Sequence, residues 1–159
     1  FAVLLNFPRF NKMKGMGQIV TWSVRDETLH TESAIKLFRT FVSENPEVLT
    51  PELEKDIYKA CETVISHEDA FINLAFELGG VEGLEANQVK DYIRYIADLR
   101  LTQLGMEKLF NIKEHPLPWM VEMLGGVEHT NFFEGRATEY SRASTKGSWD
   151  ETFKESFGT

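Results

Sequence analysis

The stretch WSVRDETLH, residues 22–30, decides how this chain is read. It lies inside a longer segment, from about Gln18 to Ser43, in which Ile19, Trp22, Asp26, Leu29, Ser33, Leu37 and Phe41 recur at helical spacing. The period predicts one long packed helix. Arg25, Asp26, Glu27 and His30 then crowd polar and charged groups into a core helix, which is costly unless they have a task. Glu27 and His30 stand three positions apart, so a helix places them on one face with Cβ atoms about 5–6 Å apart. A carboxylate and an imidazole at that separation can reach the same metal ion. Glu-x-x-His is the ligand unit of di-iron and di-manganese four-helix bundles. Mixed oxygen and imidazole ligation suits iron or manganese, and a cation replaces the hydration that a buried carboxylate loses. Asp26 is placed to accept the second N–H of a ligand histidine, with Arg25 beside it. The plainer reading of a lone Glu-x-x-His is a solvated helix face.

The inventory of ligands is short. A di-metal carboxylate site takes two Glu-x-x-His pairs and two further carboxylates from separate helices. This sequence holds one such pair, because His67, His115 and His129 have no Glu three residues before them. Glu68, in SHED at 66–69, falls on an apolar stripe and is expected to bond a neighbouring helix. His115 and His129 are expected in solvated loops.

Outward from this helix the pattern stays helical. Residues 1 to about 7 read as the end of a helix closed by Pro8, and NKMKGMG as a glycine-containing connection. Asn45-Pro46 breaks the long helix. Thr50 then caps the next, with Pro51 at its first position and Glu52 and Glu54 in its first turn. That helix carries Leu53, Ile57, Cys61, Val64, Phe71 and Leu78 on one face and ends at Gly79-Gly80. A further helix is expected from about Glu85 to Lys108, with Val89, Ile93, Ile96, Arg100 and Leu104 in register. NIKEHPLPWM, with two prolines, reads as irregular. No segment of useful length has strand period, so the class is all-α. The division expected is a helical domain at 1–124 and an extended polar tail at 125–159.

The totals exclude several functions. Net charge is −8 and no stripe gathers Lys and Arg, which argues against nucleic acid as a partner. No apolar run approaches the roughly 18–20 residues that span a bilayer. Cys61 is the only cysteine, so no internal disulfide forms, which fits a reducing cytoplasm. The chain opens at Phe1 within the apolar run FAVLLNF, as if cut through an element. A fragment, a processed chain or half of a split protein is expected.

Three separated motifs carry a family resemblance. RDETLH resembles the R-D-E-x-x-H motif of the small, radical-generating subunit of class I ribonucleotide reductase. YIRYIADLRLTQLG, residues 92–105, resembles that family's Y-[IV]-x-[FY]-[IV]-A-[DN]-x-R-[LM]-x-x-[LV]-G helix. TNFFEGRATEYS, residues 130–141, resembles its N-F-F-E-x-R-x-x-E-Y signature. They fall in the family's order, and the likeness runs from Phe1 to about Phe153.

The resemblance implies a ferritin-like helical bundle with a dinuclear metal centre (Fe/Fe, Mn/Fe or Mn/Mn). In the family, oxygen and the metals generate an oxidant, held as a tyrosyl radical or a high-valent metal state. That equivalent passes to a large subunit that reduces ribonucleotides. By this match Glu27 and His30 are metal ligands. Asp26 and Arg25 join a ligand histidine to the electron path, and Tyr140 relays the radical between subunits. The acidic, aromatic end SWDETFKESFGT, with Trp149, Asp150, Glu151 and Phe153, resembles the tail that docks on the large subunit. KESFGT departs from the ends the family shows. Phe1 would sit roughly two helical turns past a family Glu, lining the radical pocket.

The family's other ligands, its radical tyrosine and the tryptophan of its electron path lie upstream of anything in these 159 residues. The centre is therefore incomplete in this chain, and an N-terminal half is the expected partner, in the same chain or a separate one. A large subunit and a homodimer of complete small subunits are the others. Two competing readings are another ferritin-like di-iron oxidase or oxygenase, and a metal-free helical interaction module.

Overall fold

The structure, a computed structural model, describes residues 1–125. Five α-helices follow one another: α1 (Ala2–Arg9), α2 (Lys14–Glu44), α3 (Pro51–Phe76), α4 (Ala86–Leu104) and α5 (Pro118–Gly125). A 3-10 turn at Pro46–Val48 links α2 to α3. Among the described residues the only β pairing is one bridge between Val81 and Leu84.

Helix boundaries follow local chemistry, with some departures from expectation. The Thr50 hydroxyl accepts the Leu53 N–H at 3.2 Å, with Pro51 behind it, as the sequence predicts. Glu85 and Gln88 form a reciprocal capping box at the start of α4, and Gly105 ends it at φ 91°. That stop comes at Leu104 rather than Lys108, and α3 ends at Phe76, short of the Gly79-Gly80 pair. Pro8 does not close α1 but sits inside its last turn. The reversal is made by Asn11 and Met13, at φ 62° and 48°.

Two expected irregular stretches are helical in part. Lys14–Gly17 belongs to α2, and Gly17 serves packing rather than a turn. A Cβ there would lie 2.6 Å from Pro8 Cγ, so the glycine lets α1 lie against α2. Pro118 opens α5, where a proline at the first position costs no hydrogen bond.

The core lies at one end of the bundle. Ala2 and Leu5 of α1, Val20 of α2, Ile72 of α3 and Val89 of α4 meet Leu84, Leu117 and Met120 there. Polar bonds tie the same end. Asn6, 1% exposed, donates to the Glu82 carbonyl at 2.8 Å, and Arg9 donates to the Gly83 carbonyl at 3.1 Å. Gly83 (φ 66°) lies against the Phe10 ring, where a Cβ would collide with it.

The apolar stripe of α2 lies open among the described residues. Ile19 is 61% exposed and Leu37 72%, and Leu29 and Phe41 are also exposed. The face that packs carries Val20, Val24, Ile35 and Phe38, about a third of a turn round the helix. Helix α2 is thus apolar on two sides, and α1 and α4 take one of them. Part of the stripe expected on α3 is likewise open, at Val64, Phe71 and Leu78, while Ile65 and Ile72 turn inward. Periodicity finds apolar faces; it does not say which face a given neighbour covers.

Candidate metal centre

Arg25, Asp26, Glu27 and His30 all lie on α2 with exposed side chains. These charges do not lie in a packed core of this chain but stand on the open face of α2. His30 Nδ1 is 3.6 Å from Glu27 Oε2, with the two side chains 75% and 61% exposed. At that distance both atoms can ligate one ion, with one imidazole nitrogen and one carboxylate oxygen, a donor set that suits iron or manganese. The backbone behind them is doubly held. Thr28 donates its hydroxyl to the Val24 carbonyl at 2.7 Å, and Thr31 to the Glu27 carbonyl at 2.8 Å.

Among the described residues, no group of three or more His, Cys, Asp or Glu side chains is placed to hold a metal. The chemistry of Glu27 and His30 fits a metal site to which this segment brings two donors. Phe1 precedes α1 and is exposed. Tyr140, Trp149, Asp150, Glu151 and Phe153 lie outside the described residues.

Other polar side chains are placed differently from the sequence reading. The acid that joins α3 to its neighbour is Asp69, not Glu68. Its carboxylate accepts two bonds from Arg94 of α4, at 2.6 and 2.9 Å. That bidentate bond holds the Asp69 carboxyl below the ordinary range and raises Arg94. His115 is half-buried rather than solvated. Its ring packs against Tyr92 and Tyr95, with centroids 5.4 and 4.9 Å away. Its Nδ1 accepts the Leu117 N–H at 3.1 Å. Burial pushes the Tyr92 phenol up and likewise the Cys61 thiol, which the nearby carboxylates Asp98 and Glu62 raise further. Both effects lower the thiolate fraction of Cys61.

Sequence reasoning also missed Asp98. It is 2% exposed in α4, and its carboxylate accepts the N–H groups of Leu109, Phe110 and Ile112 at 2.9, 2.8 and 3.1 Å. An acid set between Ile96-Ala97 and Leu99 was the available signal.

Residues 1–116, which include the Glu27–His30 pair and Asp98, match the family model described as ribonucleotide reductase, small chain. The chain belongs to that family. A chain of Invertebrate iridescent virus 3, named a probable ribonucleoside-diphosphate reductase small subunit, is 45% identical over 94% of this chain and 40% of its own length. The ribonucleoside-diphosphate reductase subunit beta of Chlamydia pneumoniae is 37% identical over 90% of this chain and 41% of its own. The solved ribonucleotide reductase R2 subunit from Clostridium botulinum superposes with a TM-score of 0.70 at 25% identity, covering 74% of this chain and 37% of that one. This chain therefore has the helical, ferritin-like architecture of ribonucleotide reductase small chains, and it spans less than half the length of these relatives. The family binds a dinuclear metal centre.

Proposed function

We propose that this chain is the C-terminal part of a ribonucleoside-diphosphate reductase small subunit and supplies one wall of its dinuclear metal site. The observation that carries this is the Glu27–His30 pair on the open face of α2, within the segment matched to the family. Glu27 and His30 are the ligands. Asp26 and Arg25, on the same helix, link a ligand histidine to the electron path. When bound, the metal pair (Fe/Fe, Mn/Fe or Mn/Mn) supplies the oxidising equivalent.

The remaining walls come from an N-terminal half, in the same or a separate chain, that covers α2 beside Ile19, Leu29, Leu37 and Phe41. Burial by those helices excludes water, which strengthens the carboxylate–metal interaction. Phe1 lines the pocket at the start of α1. Tyr140 carries the equivalent towards the large subunit, and Trp149, Asp150, Glu151 and Phe153 dock there. A tail aromatic flanked by acids suits a groove on a partner. Two complete small subunits form the homodimer. No helix among the described residues is long and apolar enough to cross a membrane, and a cytoplasmic setting is proposed.

The test is co-purification of this chain with a matching N-terminal half, followed by assay with a large subunit. Reduction of a ribonucleoside diphosphate that depends on both halves supports the reading. Full activity from the N-terminal half alone contradicts it.

A further inference from the structure

We propose that His115 is an acid-operated latch: as a neutral imidazole it holds the entry to α5 against the bundle, and protonation releases it. The observation is the bond from the Leu117 N–H to His115 Nδ1 at 3.1 Å. A backbone N–H only donates, so Nδ1 carries a lone pair and the ring proton sits on Nε2. The latched form is therefore the neutral one.

The sequence makes this bond hard to replace. In HPLP, residues 115–118, neither Pro116 nor Pro118 has an N–H. Leu117 has the one backbone donor between them, and the residue is 1% exposed. Upstream, Asp98 fixes the chain as far as Ile112. Downstream, the Met120 N–H bonds to the Leu117 carbonyl, and Met120 is buried. Between these anchors the His115–Leu117 bond sets the direction in which the chain enters α5.

Protonation puts an N–H on Nδ1, facing the Leu117 N–H. The bond is lost, and a donor in a buried residue is left without an acceptor, which is unfavourable. The ring itself has reason to stay. Tyr92 and Tyr95 of α4 lie against it with centroids 5.4 and 4.9 Å away, and aromatic rings attract a cation. The Leu117 side therefore gives way, letting its N–H reach water.

The charges around the ring do not cancel this effect. Arg100 of α4 acts on Tyr92, and a second cation beside that pair is unfavourable. Lys113 and Glu114 precede the ring in sequence and Glu122 lies on α5. All three are exposed, so solvent weakens their influence. Phenols stay neutral in the range, about pH 5–8, in which imidazoles titrate. Burial pushes the Tyr92 phenol further up. His115 is thus the member of this ring cluster that changes charge, and the latch opens as pH falls.

Helix α5 ends at Gly125, before residues 126–159. On the reading above those residues carry Tyr140 and the docking segment, so acid loosens the point from which they leave. That consequence rests on that reading; the latch itself does not.

Hydrogen exchange of the 159-residue chain, read by mass spectrometry at about pH 8 and about pH 5.5 and corrected for the intrinsic pH dependence of exchange, tests the latch. Neither metal nor large subunit enters this experiment, so its outcome is independent of the ligand reading. Protection over residues 117–125 should fall about tenfold at the lower pH, the loss expected for one stranded N–H, while residues 89–101 of α4 keep theirs. His115→Asn sets Oδ1, an acceptor that does not titrate, as many bonds from the backbone as Nδ1, and should hold protection constant. His115→Ala has no acceptor and should be weakly protected at both pH values. Equal protection at both pH values in the unmodified chain overturns the proposal. A His115→Asn chain that loses as much protection overturns it too, as does a loss spread evenly over α4.

Discussion

The Asp98 carboxylate accepts the Phe110 N–H at 2.8 Å from a position in α4 that is 2% exposed. The same group accepts from Leu109 and Ile112, so it closes the reversal after α4 and directs the chain back to bury Leu117 and Met120. Asp98→Ala strands three N–H groups, and a destabilisation of about 3 kcal/mol is expected. Asp98→Asn keeps an acceptor for the Leu109 and Phe110 N–H groups and should cost about half as much. Urea denaturation of both variants checks the order.

Asp69 and Arg94 join α3 to α4 with side chains about a quarter exposed, a bidentate geometry that outranks an ordinary surface pair. A double-mutant cycle of Asp69→Asn and Arg94→Gln should return a coupling of about 1 kcal/mol. Asp69 has a folded-state pKa below its ordinary 3.8. Its stabilisation is therefore present above that value and is lost as pH falls through the lower folded value. Acid titration of stability should show less loss below pH 3.8 in Asp69→Asn than in the unmodified chain.

Gly17→Ala sets two effects against each other. Alanine favours the helix by about 1 kcal/mol. The new Cβ would come within 2.6 Å of Pro8 Cγ, a ring that cannot swing away. Overpacking of this kind costs about 1–3 kcal/mol. The net expectation is a destabilisation of about 1 kcal/mol, read as a fall in Tm of about 3 °C.

Leu37→Lys separates the two faces of α2. Leu37 is 72% exposed, so the stability of the lone chain should change by less than about 0.5 kcal/mol. Once complementary helices cover that face, the same lysine is buried and unpaired, and co-purification with them should be lost.

The elements legible in the sequence were those written in short-range chemistry. Thr50-Pro51 and Gly105 marked helix ends through caps and a left-handed residue. The Glu27–His30 pair was legible because spacing alone fixes a helix face. What spacing could not give was the neighbour. The Leu37 stripe reads as core, yet it is the Val20 side of α2 that packs among the described residues. Likewise, only the crossing of α3 and α4 selects Asp69 over Glu68. Gly17 read as a turn because a glycine of close approach has the same letter as one of a loop. Asp98 was quoted inside a family motif without a role, since its three partners lie 11 to 14 residues further on.

We infer that Glu27 and His30 ligate metal in a small-chain site completed by other helices. Metal analysis of this chain purified with its N-terminal half tests it most directly. Two iron or manganese ions per assembled site are expected, with at least one lost in Glu27→Ala and in His30→Ala while the halves still co-purify. A folded assembly free of metal, or one whose metal content is unchanged by both substitutions, would show that Glu27 and His30 are not ligands.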